Sequence, residues 1–337
     1  GHALDILQAK YLLWPGGALP SNSSHHNIDV EHLRADEYDL FITDPTDFIL
    51  RFLPRVFGGL EPLDLPTLGL NLLQSGFIDM PPLLTKPEFR KLGQTLLRAG
   101  KEEAKWRQVI DRLEEDMGQL GYPPQSYPGG TGAPPMDILS CRLRGMRGYF
   151  ADVFNQPDKV LAACEAILKW QLARTKPADP KEEGYPKRVD NGCPHYGSDE
   201  FMNRKQFETF VWPTWKRALQ GNIDKGYSPS PHIEGKCDER TDYFLELPKG
   251  KFSLGFREVD MERMKATLGG HCCLIGGIPA PLLAVGSVQE VDEYCEKLIK
   301  VLGKGGGYIL SCNAGVEDAK PENLKAVIES AKKYGRY

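Results

Sequence analysis

An α/β fold, specifically an (α/β)8 barrel carrying an N-terminal extension, is predicted by two observations on the 337-residue chain. Short apolar runs alternate with segments of helical apolar spacing through the second half, which is the rhythm of a parallel sheet. The helices in that rhythm also carry start and stop signals where the strands require them. The length suits one closed barrel with additions.

Taken in order, the second half reads as strand Tyr227–Ile233, helix Glu239–Leu247, strand Lys251–Arg257, helix Met261–Leu268, strand Cys272–Gly276, helix Val288–Leu302, strand Tyr308–Cys312 and helix Pro321–Tyr334. Ser287 with Glu290 three positions on forms a capping box, and Val288, Val291, Cys295, Leu298 and Leu302 lie on one stripe. Pro321 occupies a first-turn position, Leu324, Val327, Ile328 and Ala331 keep helical spacing, and Gly335 is a stop. The first half is less regular, with a Pro/Gly-rich stretch at Tyr122–Pro135, a helical run over Arg147–Leu172 and a polar segment at Lys176–Arg188. Residues 1–70, rich in Asp, Pro and Leu, are assigned to an extension packed on a barrel of residues 71–337, one domain overall, because no flexible linker follows them.

Composition narrows the function classes. With 41% hydrophobic and 26% charged residues the chain can bury a large core. A net charge of −4 gives no electrostatic reason to bind nucleic acid or an anionic membrane. No stretch approaches the roughly 20 apolar residues that span a bilayer. Residues 1–20 lack a basic segment leading into an apolar one, so the cytoplasm is expected. Eight scattered cysteines without Cys-x-x-Cys read as reduced thiols.

In a parallel barrel, functional groups gather at the C-terminal ends of strands. Three such ends carry metal-binding side chains. His232 and Glu234, two residues apart, share one side of an extended strand, and Gly235 lets the chain turn away. Cys312 ends the strand before Asn313-Ala314-Gly315. Imidazole, carboxylate and thiolate together form a zinc-ligand set with an open fourth position, so His232, Glu234 and Cys312 are candidate ligands, while His-x-Glu alone also reads as an ion-paired strand end and Cys312 alone as a buried small hydrophobe. Glu258 is a candidate catalytic group or displaceable fourth ligand. Asp199 and Glu200 precede the helical Phe201–Trp215 segment, where Asp199 could serve acid/base chemistry and either residue could cap the helix. Tyr127, Tyr196 and Phe201 are expected to line an aromatic pocket. Cys272 and Cys273 point to opposite faces near a strand start and read as core, while Gly303–Gly307 precedes a strand and reads as a helix stop and turn. His25 and His26, in a Ser/Asn-rich loop, read as solvated.

Four runs then resemble one superfamily: Leu143-Arg144-Gly145-Met146-Arg147-Gly148, Glu234-Gly235-Lys236, Leu247-Pro248-Lys249-Gly250-Lys251, and Ala319-Lys320-Pro321-Glu322-Asn323-Leu324-Lys325. Together they resemble the uroporphyrinogen decarboxylase superfamily, which implies a modified (α/β)8 barrel. The paired-arginine segment of its decarboxylases is missing. Its corrinoid-dependent methyltransferases carry His-x-Cys and a later Cys, and His232-x-Glu234 with Cys312, 78 positions after Glu234, is similar with glutamate in place of the first cysteine. A carboxylate ligand suits zinc to activation of oxygen. Leu-Pro-Lys-Gly and Ala35-Asp36-Glu37-Tyr38-Asp39 resemble the methyltransferase I components of O-demethylase systems. That resemblance implies zinc, a cobalamin (corrinoid) carried by a partner protein, and a methoxylated aromatic methyl donor. A homodimer is among the assemblies it allows. The alternatives are methyl transfer from a corrinoid protein to a thiol such as coenzyme M, metal-free decarboxylation, and a barrel that only docks the corrinoid protein.

Overall fold

The computed structural model describes residues 2–14, 19–20, 23, 25–63, 82, 85–122, 132–181, 186–190, 192–312 and 315–336. The fold is mixed α/β with parallel sheets. The chain forms two compact units, one of Gly1–Pro124 with Arg142–Lys159 and one of Gln125–Cys141 with Val160–Tyr337.

The first unit is mainly helical. Among its described residues the sheet is a two-residue antiparallel pair, β1 (Leu12–Leu13) with β2 (His26–Asn27). The helix Pro45–Val56 starts where the Asp44 carboxylate accepts the N–H groups of Thr46 and Asp47 and Pro45 fills the first turn. Its Arg55 makes a two-pronged ion pair with Glu37, both contacts at 2.7 Å. The helix Pro87–Gln119 runs for 33 residues. The helical run expected over Arg147–Leu172 is two helices, Met146–Asn155 and Pro157–Arg174. Pro157 cannot extend the first, and Gln156 is non-helical between them.

In the second unit β3 (Lys187–Asp190) pairs in parallel with β4 (Tyr227–Ser230). Strands β5 (His232–Lys236), β6 (Ser253–Glu258), β7 (Cys273–Gly277) and β8 (Tyr308–Ser311) form a four-stranded parallel sheet in that order. Three of the expected helices, Met261–Leu268, Val288–Leu302 and Pro321–Tyr334, have the expected bounds. The strand expected over Tyr227–Ile233 is instead divided at Pro231, which has no N–H for a ladder: β4 pairs with β3, and β5 turns to β6. The segment expected as helix Glu239–Leu247 winds as a 3-10 helix, Asp238–Glu246, and goes extended at Leu247 before Pro248. Strand β3 begins in the last two residues of the segment read as polar, Lys176–Arg188, and runs two residues past it.

Alternation sets the faces of the sheet. Ile233 pairs with Phe256 and Phe256 with Gly276, and the side chains of Ile233, Leu254, Phe256 and Leu274 are buried. His232, Gly255, Ile275 and Ile309 line up on the other face. Trp212, Trp215 and Phe244 form an edge-to-face cluster with ring centroids 5.3 to 6.0 Å apart. Gly305, Gly306 and Gly307 take φ of 80°, 80° and 70° between helix Val288–Leu302 and β8, a helix stop and turn that side chains would strain. Ser287 caps that helix in a reciprocal box with Glu290. Ser287→Ala is expected to lower stability by about 1 kcal/mol in urea unfolding; an unchanged midpoint would mean that the box contributes nothing.

Candidate metal centre

The loop that follows β3 is tied to β5 by backbone hydrogen bonds at both ends. His232 N–H donates to the Gly192 carbonyl at 3.1 Å, and Asp199 N–H donates to the Lys236 carbonyl at 2.9 Å. The Glu200 carboxylate accepts the Lys236 N–H at 3.2 Å. Gly235 permits this close approach, since a Cβ there would stand 2.5 Å from that of Ser198. The clasp brings Cys193 and His195 against Glu234.

Ligand atoms of Cys193, His195 and Glu234 all lie within 4.8 Å of one another, as do those of Asp137, Cys141 and His195. His195 joins the two groups. Asp137 and Cys141 sit one turn apart, on the short helix Pro135–Ile138 and the π-helical turn Leu139–Leu143 that continues it. Asp137 Oδ1 faces three donors: His195 Nδ1 at 2.8 Å, His195 N–H at 2.9 Å and the Cys141 thiol at 3.3 Å. A carboxylate has no hydrogen to give, so Nδ1 carries it, and in the neutral ring Nε2 is the nitrogen that could bind a metal. That Nε2 stands 3.9 Å from Glu234 Oε2. The separation is too long for a hydrogen bond. It is within about 0.5 Å of the spacing of two ligands on one tetrahedral zinc.

Glu234, expected as a ligand, is thus in one of these groups. His232 and Cys312 are in neither group among the described residues. Tyr127, Asn313, Ala314 and the Glu258 side chain lie outside the described residues. Asp199 forms an ion pair with the buried Arg240 at 2.8 Å, without hydrogen-bond alignment, and accepts the Glu239 N–H at 3.3 Å. Burial pushes the Asp199 carboxyl above its ordinary range. Helix Arg204–Phe210 is capped by Asn203 in a reciprocal box with Gln206, so neither Asp199 nor Glu200 has that task. Tyr196 and Phe201 pack edge to face, centroids 5.3 Å apart, in the loop that carries His195. Burial raises both neighbouring thiols, Cys272 to about 12, and Cys272 is buried and Cys273 half-buried, in keeping with core positions.

Residues 193–334 match the family model of uroporphyrinogen decarboxylase (URO-D). The match opens on Cys193 and contains Glu234 and all four strands of the larger sheet. Among solved structures, a methyltransferase from Methanosarcina mazei is similar, with a TM-score of 0.51 and 16% identity, over 75% of this chain and 67% of that one. At that identity the likeness is one of fold. No curated protein matches the sequence. No helix among the described residues is long and apolar enough to cross a membrane.

Cys193-Pro194-His195 is a readable signal, two metal-binding side chains two residues apart, but its meaning depends on β3 ending just before it. Asp137 lies far off in sequence and gave no signal.

Proposed function

We propose that this chain is a zinc-dependent methyltransferase on an (α/β)8 barrel, moving a methyl group from a methoxylated aromatic compound to the Co(I) corrinoid of a partner protein. The observation that carries the reading is the convergence of Cys193, His195 and Glu234, a sulfur, nitrogen and oxygen set within the family-matched region. Such a set suits zinc and leaves a fourth position open. Glu234 belongs both to this set and to the strand-end set His232, Glu234 and Cys312, and the closer convergence favours the former. When bound, zinc supplies Lewis acidity toward an oxygen atom.

The residues supply orientation. Asp137 holds the His195 ring so that Nε2 faces Glu234, a carboxylate–histidine arrangement that also makes the nitrogen a better donor. Tyr196 and Phe201 offer aromatic surface beside it. A cavity of about 360 Å³ opens at the C-terminal ends of β6 and β7, lined by Phe256, Val259, Ile278, Pro279, Tyr294 and Arg257. That volume would admit a single aromatic ring with small substituents, although none of Cys193, His195, Glu234, Tyr196 and Phe201 lines the cavity. Arg257 follows Gly255 by two positions and Gly255 pairs with His232, so alternation gives Arg257 the face that carries His232. In the transfer, the C–O bond leaves its electron pair on the phenolate oxygen and the methyl carbon bonds to the acceptor through the two electrons of Co(I).

The test is to incubate the anaerobically purified protein with a methoxylated aromatic and a Co(I) corrinoid protein, measuring the phenol and the methylated corrinoid together. Equimolar appearance of both is the expected result. Methylation of a thiol from a methylated corrinoid, with no ether cleavage, would assign the chain to the reverse type of transfer, and decarboxylation without metal would sink the reading.

A further inference from the structure

The cavity at the C-terminal ends of β6 and β7 has apolar walls, several of them rings: Phe256, Pro279 and Pro281 stand beside Met261 and Ile278. Arg257 is the one charged residue that lines it among the described residues. The Arg257 side chain is exposed, and it makes no hydrogen bond or ion pair among the described residues. Tyr294, half-buried on the helix Val288–Leu302, lines the same space, and its hydroxyl has no hydrogen-bond partner among those residues either. Burial pushes the Tyr294 phenol above its ordinary range, so it remains a donor at neutral pH.

Apolar walls with a few polar groups at fixed places are the usual form of a small-molecule site. A guanidinium has only hydrogens to offer, so the group it complements is an acceptor with negative charge. One guanidinium balances one charge, and its planar fork matches the two oxygens of a carboxylate. A doubly charged phosphate would be left half neutralised. Ring-lined walls suit a flat ring behind that carboxylate. We propose that this cavity binds a small aromatic acid as its carboxylate, gripped by Arg257 and hydrogen-bonded by Tyr294. That the acid is also the methyl donor, a methoxybenzoate in preference to a neutral ether, rests on the reading above; the cavity's preference for an acid does not.

Calorimetric titration of the full chain with 4-methoxybenzoate and with its uncharged methyl ester tests this, with circular dichroism to verify that each variant is folded. The acid is expected to bind tighter than the ester by about tenfold or more. Arg257→Met should abolish the difference by weakening the acid alone, Arg257→Lys should keep part of it, and Tyr294→Phe should weaken the acid by a few-fold. An ester that binds as tightly as the acid, a preference that survives Arg257→Met, or no binding of either compound would each overturn the proposal. Assaying both compounds for methyl transfer separates the two readings. An acid preference without methyl transfer from either would sink the methyltransferase and keep the cavity's assignment, whereas equal transfer from both without a binding preference would do the reverse.

Discussion

His195→Ala is expected to reduce zinc from about one ion per chain to background, and methyl transfer with it, because it removes the nitrogen ligand and the one residue the two donor groups share. Cys193→Ser and Glu234→Ala should have the same direction of effect. Asp137→Asn gives a graded outcome. It leaves all three ligands in place but weakens the hold on Nδ1, so metal affinity should fall by about 10–100-fold while a saturating metal concentration restores most activity. Elemental analysis and competition with a chelator read both effects. His232→Ala and Cys312→Ser are expected to retain zinc. If those two lose it while His195→Ala keeps it, the ion belongs to the strand-end set and the convergence around His195 is a hydrogen-bonded loop anchor.

The helices of the second half were legible because their signals are local. A capping box at Ser287 with the apolar stripe behind it, and a first-turn proline at Pro321, each act within a few residues, and the two helices they mark have the expected bounds. Strands were legible as apolar runs, but their partners were not. Nothing within Tyr227–Ile233 says that the chain changes sheets at Pro231, because pairing is decided by segments distant in sequence. The same distinction governs the site. Glu234, singled out because strand ends collect function in parallel barrels, is one of the residues that converge on His195. His195 gave no such sign because its placement rests on Asp137, 58 residues earlier, and on a clasp with β5. Tyr196 and Phe201 meet each other in space, a contact their loop positions alone did not establish.

Asp152→Ala is expected to destabilise the first unit by about 3–5 kcal/mol, the largest loss foreseen for a residue outside the candidate metal centre. The Arg144 and Asp152 side chains are only 7% and 4% exposed, and Nε donates to Oδ2 at 2.5 Å. The same oxygen accepts the hydroxyl of the fully buried Tyr38 at 3.0 Å. Removing the carboxylate would therefore strand a guanidinium and a phenol together. Glu31, which accepts from Arg144 Nη1 at 2.6 Å, compensates little because its side chain is 55% exposed to water. This arrangement explains physically the run Leu143-Arg144-Gly145-Met146-Arg147-Gly148. A Cβ at Gly148 would overlap the Arg144 guanidinium. Gly145, at φ 76°, starts a helix whose Met146 N–H donates to Asp29 at 2.7 Å. The glycines thus make space for a buried ion pair that the arginine and a helix aspartate complete. Urea unfolding separates the cost of stranding a charge from the intrinsic worth of the pair. Arg144→Leu combined with Asp152→Leu should lose less stability than Asp152→Ala alone, since no charge is left buried without a partner. A double variant weaker than the single one would mean that the pair itself, with its bond to Tyr38, holds these elements together.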